Sequence, residues 1–84
     1  MFHTYMLRCA DDTIYVGATN DLAKRLREHN HAKSGAHYTK IRRPVVLAYS
    51  EAHRTLGKAR AREAELKRLT RAEKLEMIQY FHIN

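Results

Sequence analysis

The sequence predicts a small α+β domain: a three-stranded, mostly antiparallel sheet flanked by helices in the order β-β-α-β-α-α. Three observations carry that expectation. Two runs rich in aromatic and apolar residues, 2–9 and 14–17, flank the turn-forming Ala10-Asp11-Asp12-Thr13. A third run, Val45 to Tyr49, opens directly after Pro44. Segments with helical apolar spacing and capping residues fill the remainder.

The first two runs read as a hairpin, FHTYMLRC and IYVG, with the turn between them. Thr19 or Asn20 then caps a helix, with Asp21 in its first turn. Leu22 and Leu26 give that helix an apolar stripe, and Asn30 marks its end. Residues 31–43 are polar and basic and read as a loop. After the third strand a longer helix is expected from about Thr55 to Leu69, on a stripe of Leu56, Ala59 and Leu66. Thr70-Arg71-Ala72-Glu73 is a capping box. It starts a last helix carrying Leu75, Ile78 and Phe81.

Eighty-four residues allow one domain, 1–84, with a thin core, because so short a chain hides only roughly 60% of its unfolded surface. Hydrophobic residues make up 44%, and Gly and Pro together number only four, which excludes a disordered chain. Sixteen Lys and Arg face nine Asp and Glu, so a polyanionic partner is expected, nucleic acid before an acidic membrane surface. Cys9 is the only cysteine, which excludes an internal disulfide and a Cys-rich zinc site and fits a reducing compartment. With no apolar run long enough to span a membrane and no signal peptide, the expected location is the cytoplasm.

Five features can carry chemistry, and each also has a purely structural reading. Tyr5 and Tyr15 lie on adjacent strands, where tyrosine packs well. A two-residue turn at Asp11-Asp12 would pair Arg8 with Tyr15 and put the tyrosines on opposite faces. A turn of odd length puts both on one face, as a shared site requires. Gly17 marks either a close backbone approach or a simple strand end. Arg25 and His29, four apart, share a helix face beside the Leu22 stripe; a solvated basic face explains them equally.

Glu63 falls inside the stripe between Ala59 and Leu66, whereas Glu65 lies off it. A carboxylate there needs a partner. A salt bridge to Arg25 or Lys67 and a divalent metal ion are the two candidates. The fifth feature is the segment 33–43, which interleaves Lys33, Lys40, Arg42 and Arg43 with His37 and Tyr38. That mixture suits phosphate contacts with base stacking, or simply a solvated loop.

Taken together these residues resemble the GIY-YIG nucleases. Tyr5 in Thr4-Tyr5-Met6 and Tyr15-Val16-Gly17 look like the two halves of that signature, ten residues apart. Asp21-Leu22 followed by Arg25 is similar to the family's helix motif with its arginine. Glu63 in Glu63-Ala64-Glu65-Leu66-Lys67-Arg68-Leu69 is similar to its metal-binding glutamate. Tyr38-Thr39 and Thr70-Arg71-Ala72-Glu73-Lys74 resemble a small, stand-alone bacterial subgroup. The chain departs from the pattern in two respects. The first triplet lacks Gly and Ile, and the only asparagine after Glu63 is Asn84.

The resemblance implies one cleft holding Tyr5, Tyr15, Arg25, His29 and Glu63, and a single divalent cation, Mg²⁺ or alternatively Mn²⁺, with Glu63 its only protein ligand. It implies that Arg25 holds the scissile phosphate and that the tyrosines position the attacking water, one of them as general base. His29 then takes or relays the proton. Lys33, His37, Tyr38, Lys40, Arg42, Arg43 and Lys67 are the expected nucleic-acid contacts. The implied activity is a metal-dependent endonuclease on DNA, branched or single-stranded, with RNA also open. Cutting is expected to be structure-selective or nonspecific, with a role in DNA repair or processing. A protein partner for targeting, and a monomer or weak dimer, complete the expectation. The rival classes are a noncatalytic nucleic-acid-binding module and a basic adaptor for an acidic protein.

Overall fold

The structure, a computed structural model, describes residues 1–31 and 37–83, the side chains of His37 and Ile83 excepted. The order is β1 (Phe2–Cys9), β2 (Ile14–Thr19), α1 (Leu22–His31), α2 (His37–Lys40), β3 (Val45–His53), α3 (Leu56–Lys67) and α4 (Arg71–Ile83). The sheet is three-stranded and antiparallel, as the sequence predicts, and the structure supplies its order, β2-β1-β3.

The hairpin settles the question of faces. Arg8 pairs with Ile14, and the Cys9 N–H bonds the Thr13 carbonyl at 2.9 Å. Three residues, Ala10-Asp11-Asp12, therefore make the turn. Asp12 sits at φ 69, a conformation Asp tolerates and the usual third position of such a loop. Odd length puts Tyr5 opposite Gly17 and Tyr15 opposite Leu7, so both tyrosines fall on one face.

The central strand β1 is buried on both sides. Tyr5, Leu7 and Cys9 pack with Val45, Tyr15, Leu22 and Leu26, beneath α1. Met6 packs on the opposite side with Val16, Ala48, Leu66 and Ile78, beneath α3 and α4. Fully burying a side chain of this size contributes about 1.5–3 kcal/mol, so Met6, Leu7 and Leu66 anchor the two layers. Thr4, also buried, donates from Oγ1 to the Ala59 carbonyl at 2.8 Å and ties α3 to the strand.

Several boundaries differ from the sequence reading. Strand β2 runs to Thr19 and β3 to His53, because Ala18, Thr19 and residues 50–53 find partners along the first half of β1. Asp21, rather than Thr19 or Asn20, caps α1: its Oδ1 accepts the Lys24 N–H at 3.1 Å. Asn30 does not stop α1, which continues to His31. Its side-chain amide clasps Val45 instead, donating to the carbonyl at 3.0 Å and accepting the N–H at 2.7 Å. The expected loop 31–43 contains the short helix α2.

Helix α3 starts at Leu56 behind an N-cap Thr55 and stops at Lys67. The amides of Arg68 and Leu69 tighten onto the carbonyls three residues back, which frees Thr70 to begin the next cap. Leu56, expected in the apolar stripe, is 40% exposed. A first-turn side chain points back past the helix start, away from the core. The capping box of α4 forms as predicted. Glu73 N–H bonds Thr70 Oγ1 at 3.2 Å, and Thr70 N–H bonds Glu73 Oε1 at 2.8 Å.

Candidate active site

Tyr5 is almost fully buried, and its position is fixed by what lies across the hairpin. A Cβ at Gly17 would stand 2.5 Å from the Tyr5 hydroxyl and 2.6 Å from Cζ, so only glycine admits the ring. The hydroxyl then meets His29 Nε2 at 2.9 Å. His29, wholly buried on α1, bonds through Nδ1 to Thr39 Oγ1 at 2.7 Å, and Thr39 is itself buried on α2. The result is a hydrogen-bonded row, Tyr5–His29–Thr39, built from three elements.

Tyr15 and Tyr38 extend this row toward solvent. The Tyr15 ring lies 5.0 Å from His29 in an edge-on arrangement, and 5.8 Å from the Tyr38 ring. Both separations fall in the range of favourable aromatic pairs. Tyr38 is 37% exposed and carries the Arg42 guanidinium 3.9 Å above its ring. Arg42 also bonds the Tyr38 carbonyl and reaches Asp11 at 2.9 Å, which pins α2 to the hairpin turn.

The electrostatics follow from burial. Desolvation pushes the Tyr5 phenol up to about 12, although the neighbouring Arg25 guanidinium opposes this. Desolvation lowers His29 to about 4, assisted by the positive charge of Arg25. The histidine expected to titrate near neutrality is therefore a neutral imidazole at pH 7. With the Arg25 charge beside the phenol oxygen, one consistent assignment has Tyr5 O–H donate to Nε2 and Nδ1–H donate to Thr39 Oγ1.

Glu63 is half-buried, its side chain 20% exposed, and its charge is felt at Tyr5. The partner it takes is Lys67, at 2.9 Å, rather than Arg25. Arg25 pairs with Glu28 at 3.3 Å. Among the described residues no cluster of three or more His, Cys, Asp or Glu could hold an ion. The donor set is thus one carboxylate, since both nitrogens of His29 are engaged. It fits a hard cation that keeps most of its waters, and it does not fit a tetrahedral nitrogen–sulfur metal.

The structure thus brings Tyr5, Tyr15, Gly17, Arg25, His29 and Glu63 into one region, with Lys67 on Glu63 and Tyr38 beside Tyr15. Arg43 donates to the carbonyls of Glu28 and His29 at the end of α1. Lys40 is half-buried on α2. Lys33 and the His37 side chain lie outside the described residues, as does Asn84. Thr39 and Glu28 were not singled out for a role by sequence. Nothing local distinguishes a threonine in a basic segment, and its closeness to His29 exists only once α2 has docked. A cavity of about 430 Å³ lined by Tyr49, Leu69, Glu73, Glu76, Met77 and Tyr80 holds none of these groups. The residues singled out by sequence gather along the aromatic row, not in that cavity.

Residues 1–76 match the GIY-YIG catalytic domain, and the chain belongs to that family, a branch of the nuclease superfamily whose members generally use divalent metals. Its relatives are UPF0213 proteins, small single-domain members of the family. One from Syntrophus aciditrophicus is 48% identical over 77 residues, covering 92% of this chain and 88% of its own. A UPF0213 protein of Bacillus halodurans, solved by solution NMR, superposes with a TM-score of 0.60 at 32% identity, over 95% of this chain and 85% of that one. A second NMR structure, of a protein from E. faecalis, gives 0.63 at 38% identity, over 98% and 86%.

Proposed function

We propose that the protein is a metal-dependent endonuclease that hydrolyses DNA phosphodiester bonds, structure-selectively or without sequence preference, in DNA repair or processing. The observation that carries this is the buried Tyr5–His29–Thr39 row set beside Arg25 and a half-buried carboxylate, Glu63. A row held so tightly to a neutral histidine is an arrangement for moving a proton, more than packing alone requires.

Arg25 offers a fixed fork of donors to the scissile phosphate. Tyr5 is not a ready phenolate, because burial holds its proton to about 12. It acts as a conduit: as the Tyr5 oxygen takes a proton from the attacking water, its own proton passes to the unprotonated Nε2 of His29, an acceptor that burial and Arg25 weaken and the Glu28 charge assists. Thr39 keeps the other nitrogen protonated and the ring in place. Tyr15 forms the half-buried wall against which the substrate sits. Glu63 would hold the cation, Mg²⁺ or Mn²⁺, which when bound supplies charge to stabilise the leaving oxygen. Lys33, His37, Tyr38, Lys40, Arg42, Arg43 and Lys67 are the proposed nucleic-acid contacts.

The test is a panel of forked, flapped, single-stranded and duplex DNA, and matching RNA, incubated with Mg²⁺ or Mn²⁺. Glu63→Ala is expected to abolish cutting, and Arg25→Ala to slow it about 10²-fold or more, the usual cost of removing a charge-stabilising donor. Intact substrates throughout the panel would remove the enzymatic reading. The ion pair between Lys67 and Glu63 favours a second reading, a noncatalytic nucleic-acid-binding module in which Glu63 is structural. That module would bind DNA in a salt-sensitive way and keep its affinity in Glu63→Ala.

A further inference from the structure

A smaller cavity, about 210 Å³, opens beside the outer end of the aromatic row. Thr13 and Ile14 line it from the hairpin, Tyr38 from α2, and Arg71 and Lys74 from the first turn of α4. The two cations stand three residues apart and so share one helix face. Tyr38 and Ile14 make the aromatic and apolar part of the wall.

The charges around it are not balanced. Arg71 reaches Asp12 at 3.0 Å, but Asp12 also holds Arg8 at 2.9 Å, while Asp11 holds Arg42. Four cations, Lys74 included, thus face two carboxylates. Lys74 is half-buried against the cavity and makes no ion pair among the described residues. An ammonium without a carboxylate partner among the described residues, beside Arg71, leaves this opening with net positive charge that attracts an anion.

We propose that this cavity is a nucleotide subsite, in which one nucleotide flanking the cut bond sets its phosphate on Lys74 and Arg71 and its base against Tyr38 and Ile14. Cations beside an aromatic and apolar wall suit the phosphate and one edge of the base of a nucleotide in a flexible strand that lies across the opening. The row of rings at 5.0 and 5.8 Å leads from His29 through Tyr15 to Tyr38, so the subsite adjoins the candidate active site. The proposal rests on the nuclease reading for the identity of the polymer. It assigns Arg71 and Lys74 a task beyond starting a helix.

The experiment measures binding of end-labelled single-stranded DNA in a length series, trimmed one nucleotide at a time from either end, to the Glu63→Gln protein. Lys74→Ala is expected to weaken binding and lower the salt slope by about one. Tyr38→Ala is expected to weaken it about tenfold, toward the low end for a base–aromatic contact, since Arg42 already covers one face of the ring. Both effects should disappear at the same oligonucleotide length, because both residues serve one nucleotide. Lys74→Gln, which keeps the stem, guards against a folding artefact, and thermal melts check every variant. Three results would overturn the subsite: no change in affinity, losses that persist at every length, or an acidic peptide that binds as well as DNA. Cleavage by the parent protein with Lys74→Ala and Tyr38→Ala silent removes the subsite and leaves the nuclease. Length-dependent binding without any cleavage removes the nuclease and leaves the subsite.

Discussion

Lowering the pH from 7 to 4 should destabilise this protein largely through one side chain, His29. Its folded-state value of about 4 lies below the ordinary 6.5 because burial and the Arg25 charge oppose the imidazolium. The unfolded chain therefore binds a proton first as pH falls. Stability from this group is fully present above about 6.5, declines as pH drops toward 4, and changes no further below that. The span of about 2.5 units at 1.36 kcal/mol each corresponds to about 3 kcal/mol. That is a large share of the roughly 5–15 kcal/mol that holds a typical domain. The assay is urea unfolding across pH 4 to 8 for the parent and for His29→Gln, which cannot titrate. The variant starts lower at pH 7, since a buried bond is lost, but its profile should be flatter by about 3 kcal/mol. Parallel profiles would show that burial does not hold His29 below its ordinary value.

Three further outcomes test neighbouring parts of the structure. Gly17→Ala forces a Cβ into the Tyr5 ring; thermal melts should show a loss of about 1–3 kcal/mol, and cleavage should fall at least about tenfold as the ring leaves His29. Thr39→Val keeps the shape but deprives His29 Nδ1 of its partner. A loss of about 1–3 kcal/mol is expected in urea, with kcat reduced more than KM, since the substrate-facing groups are untouched. Asn30→Ala breaks both bonds to Val45 and should cost about 2 kcal/mol, whereas Asn30→Asp, which keeps an acceptor, should lose less.

What could be read from the sequence was whatever depends on neighbours along the chain. The capping box at Thr70 and Glu73, the shared face of Arg25 and His29, and the out-of-place Glu63 all follow from helical spacing, and all are present. What depended on pairing at a distance was not readable. Residues 50–53 have little strand character of their own and are extended because β1 offers them partners. Asn30 looked like a stop signal because the Val45 backbone it clasps is fifteen residues away. The relation between the tyrosines was open until the turn length was known. Thr39 acquires its task only from the docking of α2 against α1. The low basicity of His29 is likewise a property of its surroundings, invisible in a residue type that ordinarily titrates near neutrality.

The three-residue turn at the hairpin tip has a consequence for how this chain can vary. Ala10 is exposed and open to replacement, whereas Asp11 and Asp12 carry the ion pairs to Arg42, Arg8 and Arg71, and the third position needs a left-handed backbone. Its length is a different matter. Deleting or inserting one residue there inverts every side chain of β2 relative to β1, sends Tyr15 to the opposite layer and removes glycine from opposite Tyr5. At the tip a change of residue loosens local ties, while a change of length turns a whole strand over. A single-codon deletion in it should inactivate the protein as completely as loss of the tyrosine itself, without touching any residue of the site.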